Sequence, residues 1–251
     1  MSETPLFAYT LRLADTSLVL GHRLSEWAAR APTLEEDIAL GNLGLDLIGE
    51  ARLFYDYAGK VEGQGRDEDA LAYLRDDREY RNLLMVEQPN GDFAVTMARQ
   101  FLYAAFAHPY YYALGNSKDA TLAAIAAKAE KEMAYHLRHA GEWVIRLGDG
   151  TDESHLRTQA ALDDLAIYID EFFEVDAIDR ALIEAGVAPD PAKVRAEFEA
   201  SLAHVLDEAT LTKPSVRHGQ SGGKRGLHTE HLGHLLAVMQ SLHRAHPGVT
   251  W

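Results

Sequence analysis

Apolar side chains recur every three or four residues along most of the chain, whereas alternation of apolar and polar residues never extends beyond four residues. The first pattern is typical of amphipathic helices and the second of strands. The pattern therefore predicts an all-α fold. Its helices are expected at about residues 5–30, 34–57, 92–114, 118–147, 151–173, 176–185, 190–211 and 228–244, with room for one short helix inside the charged connection 59–90.

Residues that start and stop helices group this pattern into two long hairpins. Thr4 and Thr33 are placed to cap the first two helices, and Asp92 is placed to cap the third. The hairpins span residues 5–57 and 92–147, and each joins two long helices by a short link. Helices joined in this way pack antiparallel. The prediction is a four-helix bundle.

The domain organisation follows from the same pattern. No internal repeat and no low-complexity tract divides the chain. We therefore expect a single domain over residues 1–251, with accessory helices at about 151–251 added to the bundle.

The two hairpins have polar residues where a dimetal bundle would hold its ligands. Such bundles use one Glu on each of two helices and a Glu-x-x-His motif on each of the other two. Here both His positions hold other residues, and one single-Glu position is a neutral amide. No catalytic, cofactor-binding or metal-binding residue is therefore assigned. The six positions are interpreted as remnants of a dimetal site: Asp15, Asp46, Gly49, Gln100, Glu132 and Tyr135.

Two metal-binding alternatives stay open at this point. Glu132 and His136 share a helix face, and His139 lies close to that face, so these three residues are candidates for a mononuclear site. A self-sufficient metal-binding oxidoreductase would add Asp15 and Asp46 to them. The competing interpretation is a buried polar network between helices.

Composition excludes several classes of protein. The formal net charge is −15, which opposes binding to nucleic acid and to anionic membranes. The absence of cysteine excludes disulfides, iron–sulfur clusters and a cysteine nucleophile. No signal peptide and no membrane-spanning apolar run are recognisable, so we expect a cytoplasmic protein.

Residues 215–227 form a glycine-rich basic loop before the last helix. Lys224 and Arg225 follow glycines there, and such a loop can hold an anion, either a phosphate group or an acidic patch on a partner. A solvated connector is the alternative. His228, His231 and His234 come next at spacings that do not let all three converge on one metal.

The helix at 92–114 is unusually aromatic. Aromatic side chains with polar tips suit a subunit interface. We expect this helix and the final helix to contact a partner. The aromatic residues concerned are Phe101, Tyr103, Phe106, Tyr110, Tyr111 and Tyr112.

Five stretches along the whole chain give it a specific resemblance. The chain resembles the C subunits of the bacterial phenylacetyl-CoA ring epoxidases, which are multicomponent oxygenases. No single short motif carries the similarity. The stretches are LRLADTSLVLGHRLSEW, NLGLDLIGEARLF, LLMVEQPNGDFAVTMARQ, YHLRHAGEWVIRLGDGTDES and GGKRGLHTEHLGHLLAVMQ.

The resemblance implies a ferritin-like fold and a noncatalytic structural subunit. It implies pairing with a homologous catalytic A subunit that carries di-iron and binds most of the acyl-CoA, and further a B-type subunit and an NADPH-dependent reductase. On this basis no cofactor is expected in this chain. The rivals are the self-sufficient metalloprotein described above and an interaction module of an unrelated pathway.

Overall fold

The structure is a computed structural model that describes residues 4–215 and 218–249. Within these ranges there are helices and no strand, which confirms the all-α prediction. Residues 216–217 of the glycine-rich loop lie outside the described residues. The α-helices are α1 Pro5–Ser25, α2 Leu34–Glu62, α3 Glu68–Tyr73, α4 Leu84–Glu87, α5 Phe93–Leu114, α6 Ala120–Gly148, α7 Asp152–Leu165, α8 Ala177–Ala185, α9 Arg195–Glu208, α10 Glu230–Met239 and α11 Ser241–Ala245.

The chain divides into two compact units. The first unit comprises Met1–Pro89 and Ser221–Trp251, and the second comprises Asn90–Gln220. In the first unit α1 packs along α2, and in the second α5 packs along α6, so both expected hairpins are present. The single domain and the assembly of the hairpins into one four-helix bundle stay predictions.

The predicted helix starts coincide with caps. The Thr4 side chain accepts a hydrogen bond from the backbone N–H of Phe7, and Asp92 accepts one from Val95. Thr33 likewise accepts from the backbone of Glu36. Each cap pairs a backbone donor that the first helical turn leaves without a partner.

Helix ends differ from the prediction at identifiable places. α1 ends at Ser25 rather than near residue 30, and α2 continues to Glu62 rather than ending near residue 57. Gly59 lies inside α2, and only glycine fits there, because a Cβ would lie 2.3 Å from the carbonyl oxygen of Arg66. The left-handed cap is instead Gly63, with φ of 68°.

The aromatic side chains of α5 pack within the chain. Phe106 stacks on Phe172 with ring centroids 4.9 Å apart, and Tyr110 packs against Phe106. Of the six aromatic residues expected at an interface, five are buried and only Tyr112 is exposed. Core packing therefore accounts for most of the aromatic character, and contact of this helix with a partner stays a prediction.

None of the helices described is both long enough and apolar enough to cross a membrane.

Candidate functional site

The Asp15 carboxylate accepts four hydrogen bonds within the first unit. Asp15 lies on α1 and is completely buried. Tyr55 donates its hydroxyl to Oδ1 over 2.5 Å, and the backbone N–H of Arg81 donates to Oδ2 over 2.7 Å. Arg75 donates both terminal nitrogens to the two carboxylate oxygens. The charge of the Asp15 carboxylate is thus neutralised by a bidentate ion pair with the guanidinium of Arg75.

Arg75 is itself enclosed by the same unit. Its guanidinium lies over the ring of Tyr80 at 4.4 Å and donates to the carbonyl oxygens of Leu71 and Glu79. Burial opposes its charge, but the charge and hydrogen bond of Asp15 act together with Tyr55 and Tyr80 to outweigh that effect and raise the pKa of Arg75. Burial, followed by the charge of Asp15, raises the pKa of Tyr55 well above its usual value. Arg75 therefore stays charged and Tyr55 stays protonated.

The packing register of α1 and α2 differs from the expected one. Asp15 and Asp46 lie at similar distances along the sequence from the corner at Ala31-Pro32, which predicts that they face each other across the two helices. Instead a Cβ on Gly21 would lie 2.9 Å from Ile48, so Asp46 is level with Gly21, about 9 Å along α1 from Asp15. The expected pairing is therefore wrong. Both Asp46 and Gly49 are half-buried.

Glu50 is the buried acid of α2. Its side chain accepts a 2.5 Å hydrogen bond from the hydroxyl of Ser17 on α1. Glu50 lies one residue after Gly49, so the buried carboxylate of this helix is offset from the predicted ligand position.

In the second unit Gln100 contacts His136. The amide nitrogen of Gln100 lies 3.1 Å from Nδ1 of His136, and both side chains are completely buried. Glu132 is half-buried and pairs with Lys128 over 2.6 Å, while Tyr135 is 42 % exposed. The buried face of α6 therefore carries His136, and Tyr135 lies on the outer side.

A second buried acid joins separate parts of the first unit. Glu87 is completely buried and accepts hydrogen bonds from Asn82, from both the backbone and the hydroxyl of Thr229, and from His228. His228 Nδ1 lies 2.7 Å from the carboxylate, and its Nε2 lies 2.9 Å from the carbonyl oxygen of Tyr80. Both ring nitrogens thus face acceptors, which is the environment of an imidazolium.

The pKa of His228 agrees with this geometry. Burial of the ring lowers it, but the hydrogen bond and the charge of Glu87, the Tyr80 carbonyl and the charge of Asp15 give a net increase above the usual value. The opposite case is His22 on α1, where burial lowers the pKa to about 4. His228 is therefore a structural cation and His22 a neutral buried side chain.

The basic loop contains a short 3₁₀ turn, Gly223–Arg225. Its glycines allow close approach, since a Cβ on Gly223 would lie 2.0 Å from the carbonyl oxygen of Asn82. Lys224 is half-buried and Arg225 is exposed. The role of these two residues in binding an anion or a partner stays a prediction.

Comparison with known proteins identifies the family. The sequence model described as Phenylacetic acid catabolic protein matches residues 1–251. The chain belongs to this family. It is also 52 % identical over 246 residues to a protein of Escherichia coli (strain K12) named as the C subunit of 1,2-phenylacetyl-CoA epoxidase. The match covers 98 % of this chain and 99 % of that protein, and it agrees with the resemblance recognised in the five stretches.

In this member of the phenylacetic acid catabolic family, the residues present do not fit a di-iron centre. Two ferrous ions need several carboxylates and imidazole nitrogens directed at one point. Here Asp15 is neutralised by Arg75, and Gln100 is a neutral amide in contact with His136. Interpretation of the six polar positions as remnants of a metal site stays a prediction.

The alternative ligand set is not assembled either. Within residues 4–215 and 218–249, no group of three or more His, Asp or Glu side chains lies close enough together to hold a metal ion. Glu132, His136 and His139 are thus not brought together around one point. His139 instead stacks against Tyr135, with ring centroids 6.1 Å apart.

Proposed function

We propose that this chain is a noncatalytic structural subunit of a multicomponent aromatic acyl-CoA oxygenase, which epoxidises the ring of phenylacetyl-CoA in aerobic phenylacetate catabolism. It would pair with a homologous catalytic subunit that holds the di-iron centre. Support comes from the family and from the similarity to a protein named as the C subunit of 1,2-phenylacetyl-CoA epoxidase.

The observation that carries the noncatalytic role is the state of Asp15. A carboxylate that ligates iron must direct its lone pairs at the metal, whereas both oxygens of Asp15 accept hydrogen bonds from protein donors. Arg75 also supplies the positive charge that a metal would otherwise provide. A cation already occupies the electrostatic role of the metal, which supports a structural function for this hairpin.

The rest of the assembly is proposed on the same basis. The hairpins α1–α2 and α5–α6 would form a ferritin-like bundle, and the catalytic subunit would bind most of the acyl-CoA. A reductase would deliver electrons from NADPH to that subunit, and a B-type subunit would complete the complex. Lys224 and Arg225 are the candidates for contact with an anion or an acidic partner surface.

The iron content of the purified chain tests the proposal. Expressed alone with iron supplied, the chain should hold essentially no iron, because its acids already have protein partners. Expressed with the catalytic subunit, it should co-elute with that subunit, and the pair should hold about two irons, the number expected for one dimetal bundle. Metal analysis of both samples after size-exclusion chromatography provides the measurement.

A matched variant separates a structural role from a catalytic one. Glu132→Ala removes a half-buried carboxylate whose partner is Lys128, and the complex should form with unchanged turnover. About two irons per isolated chain, or loss of turnover in an intact Glu132→Ala complex, would favour the self-sufficient metalloenzyme. Failure to co-elute would contradict the proposed pairing.

A further inference from the structure

We infer that an open cavity beside the C-terminal helices of the first unit binds a protonated primary amine. The cavity has a volume of about 340 Å³ and lies between the connection after α3 and the helices α10 and α11. The inference goes beyond the proposed function and does not depend on it. The residues that line the cavity include Asp76, Asp77, Ala237, Gln240, Ser241 and Arg244.

The floor of the cavity is formed by the side chain of Gln240, which is only 3 % exposed. Its amide nitrogen donates to the carbonyl oxygens of Arg75 and Ala72 over 2.9 and 3.3 Å, and it also contacts the hydroxyl of Tyr80. Because these contacts direct the nitrogen into the protein, the carbonyl oxygen at the other corner of the planar amide faces the cavity. Among the described residues, none donates a hydrogen bond to this oxygen. A buried acceptor of this kind requires a donor, and the cavity is where a ligand can provide one.

The charges that line the cavity leave one carboxylate unbalanced. Asp76 pairs with Arg244 over 2.9 Å. Asp77 accepts a hydrogen bond from the backbone N–H of Arg78, but no Lys, Arg or His side chain in the described part of the chain pairs with it. The neighbouring side chains of Arg78 and Glu79 have opposite charges, and neither lines the cavity. Two carboxylates and one guanidinium therefore give the lining a net charge of −1, which favours a ligand with a single positive charge.

Three polar groups of the lining are placed to accept hydrogen bonds. The carbonyl oxygen of Gln240 and the carboxylate of Asp77 are two of them. Ser241 donates its hydroxyl hydrogen to the carbonyl oxygen of Val238, so its Oγ is left as the third acceptor. A primary ammonium group has three N–H donors and no acceptor. The three acceptors therefore match the three donors of such a group.

The rest of the lining agrees with a small cation. Arg244, which is a donor, already donates to Asp76 and to the carbonyl oxygen of Arg75. α10 ends at Met239 beside the cavity, and the carbonyl end of a helix favours a positive charge. A volume of about 340 Å³ lies at the lower end of the range for small-molecule sites. The cavity thus suits a short alkylammonium ion or the end of a Lys side chain, which carry the same group.

Saturation-transfer NMR of the full chain, titrated with n-propylammonium, tests the inference. Tetramethylammonium is the matched probe, because it has the same charge but no N–H donor. We expect propylammonium to bind at least about tenfold more tightly than tetramethylammonium, because only propylammonium can donate hydrogen bonds to Asp77 and Gln240.

Three variants separate this cavity from the general attraction of a cation to an acidic chain. Asp77→Asn removes the unbalanced charge and should weaken propylammonium binding by about tenfold. Glu35→Gln on α2 is the matched control, because Glu35 is exposed, pairs with no described cation and changes the net charge equally, so the affinity should not change. Ala237→Leu keeps every charge but fills the cavity, and it should also weaken binding by about tenfold. Asp77 and Ala237 are both exposed, so circular dichroism should show that these variants fold as the wild type does.

Repeating the titration on the complex with the catalytic subunit distinguishes the two sources of the amine. Binding that is retained in the complex indicates a free amine as the ligand, whereas binding that is lost there indicates a Lys side chain of the partner. Absence of binding to the chain alone, or equal affinities of the two ammonium ions, overturns the inference. Equal affinities of the wild type and Asp77→Asn overturn it as well, because the cation would then be attracted only by the net charge of the chain. None of these results affects the proposed function.

Discussion

Replacing Arg75 with Met should lower the free energy of unfolding by about 3–5 kcal/mol, the usual cost of leaving one member of a buried ion pair without its partner. Asp15 would keep the hydrogen bonds from Tyr55 and from the backbone of Arg81, but no positive charge would contact it. Urea denaturation of the wild type and of Arg75→Met, followed by circular dichroism, gives the difference.

The exposed pair between Arg52 and Glu68 provides the control. The Arg52 side chain is 74 % exposed, so Arg52→Met should change stability by less than about 1 kcal/mol. Adding Asp15→Asn to Arg75→Met should recover part of the loss, because the unpaired charge is then removed. If Arg75→Met proves as mild as Arg52→Met, the buried ion pair does not form.

The helices were largely predictable because their signals are local. Caps such as Thr33 and Asp92 satisfy backbone donors within the next three residues, so short segments of sequence contain the whole interaction. The end of α2 was not predictable in the same way. A glycine near the end of a helical pattern usually indicates a helix end, but Gly59 serves instead to leave room for the backbone of Arg66.

The ligand motif predicts the wrong side of the helix for the buried polar residues of α6 and α2. On α6 the buried residues Ala129, Met133 and Ala140 follow a spacing of four and seven residues that includes His136 and excludes Tyr135. On α2 the buried leucines and Phe54 follow a similar spacing that includes Glu50 rather than Asp46. The spacing of apolar residues therefore indicates the buried positions, which are His136 and Glu50. The spacing of a dimetal ligand motif indicates Tyr135 and Asp46 instead, which lie on neighbouring sides of the same helices.

The partner of Asp15 had no sequence signal. Arg75, Arg78 and Arg81 lie together in a charged connection, and nothing in their neighbours distinguishes the buried one. The distinction arises from tertiary structure, because Arg75 follows α3 and points back to α1, 60 residues earlier in the chain. Contacts of this range depend on the fold and cannot be obtained from local pattern.

Replacing Glu87 with Leu should lower the free energy of unfolding by about 3–5 kcal/mol and should change its pH dependence. In the wild type the imidazolium of His228 contacts the Glu87 carboxylate, which raises the pKa of His228 in the folded state. Because the pKa is raised in the folded state, the contact contributes its full stabilisation at pH values below the pKa of histidine in the unfolded chain, which is about 6.5. That stabilisation is lost as pH rises through the folded pKa, because the ring then releases its proton.

The measurement is the free energy of unfolding in urea between pH 7 and pH 9. This range avoids His22, whose lowered pKa reduces stability only as pH falls below about 6.5. The wild type should lose stability across the range, and Glu87→Leu should show less of this loss because the carboxylate that holds the proton is gone. His204→Gln removes a histidine whose side chain is 68 % exposed, so it should keep the wild-type pH profile. If the free energy of unfolding of Glu87→Leu depends on pH as steeply as that of the wild type, a group other than His228 causes the pH dependence. That result would contradict the prediction, which attributes the pH dependence to the contact between His228 and Glu87.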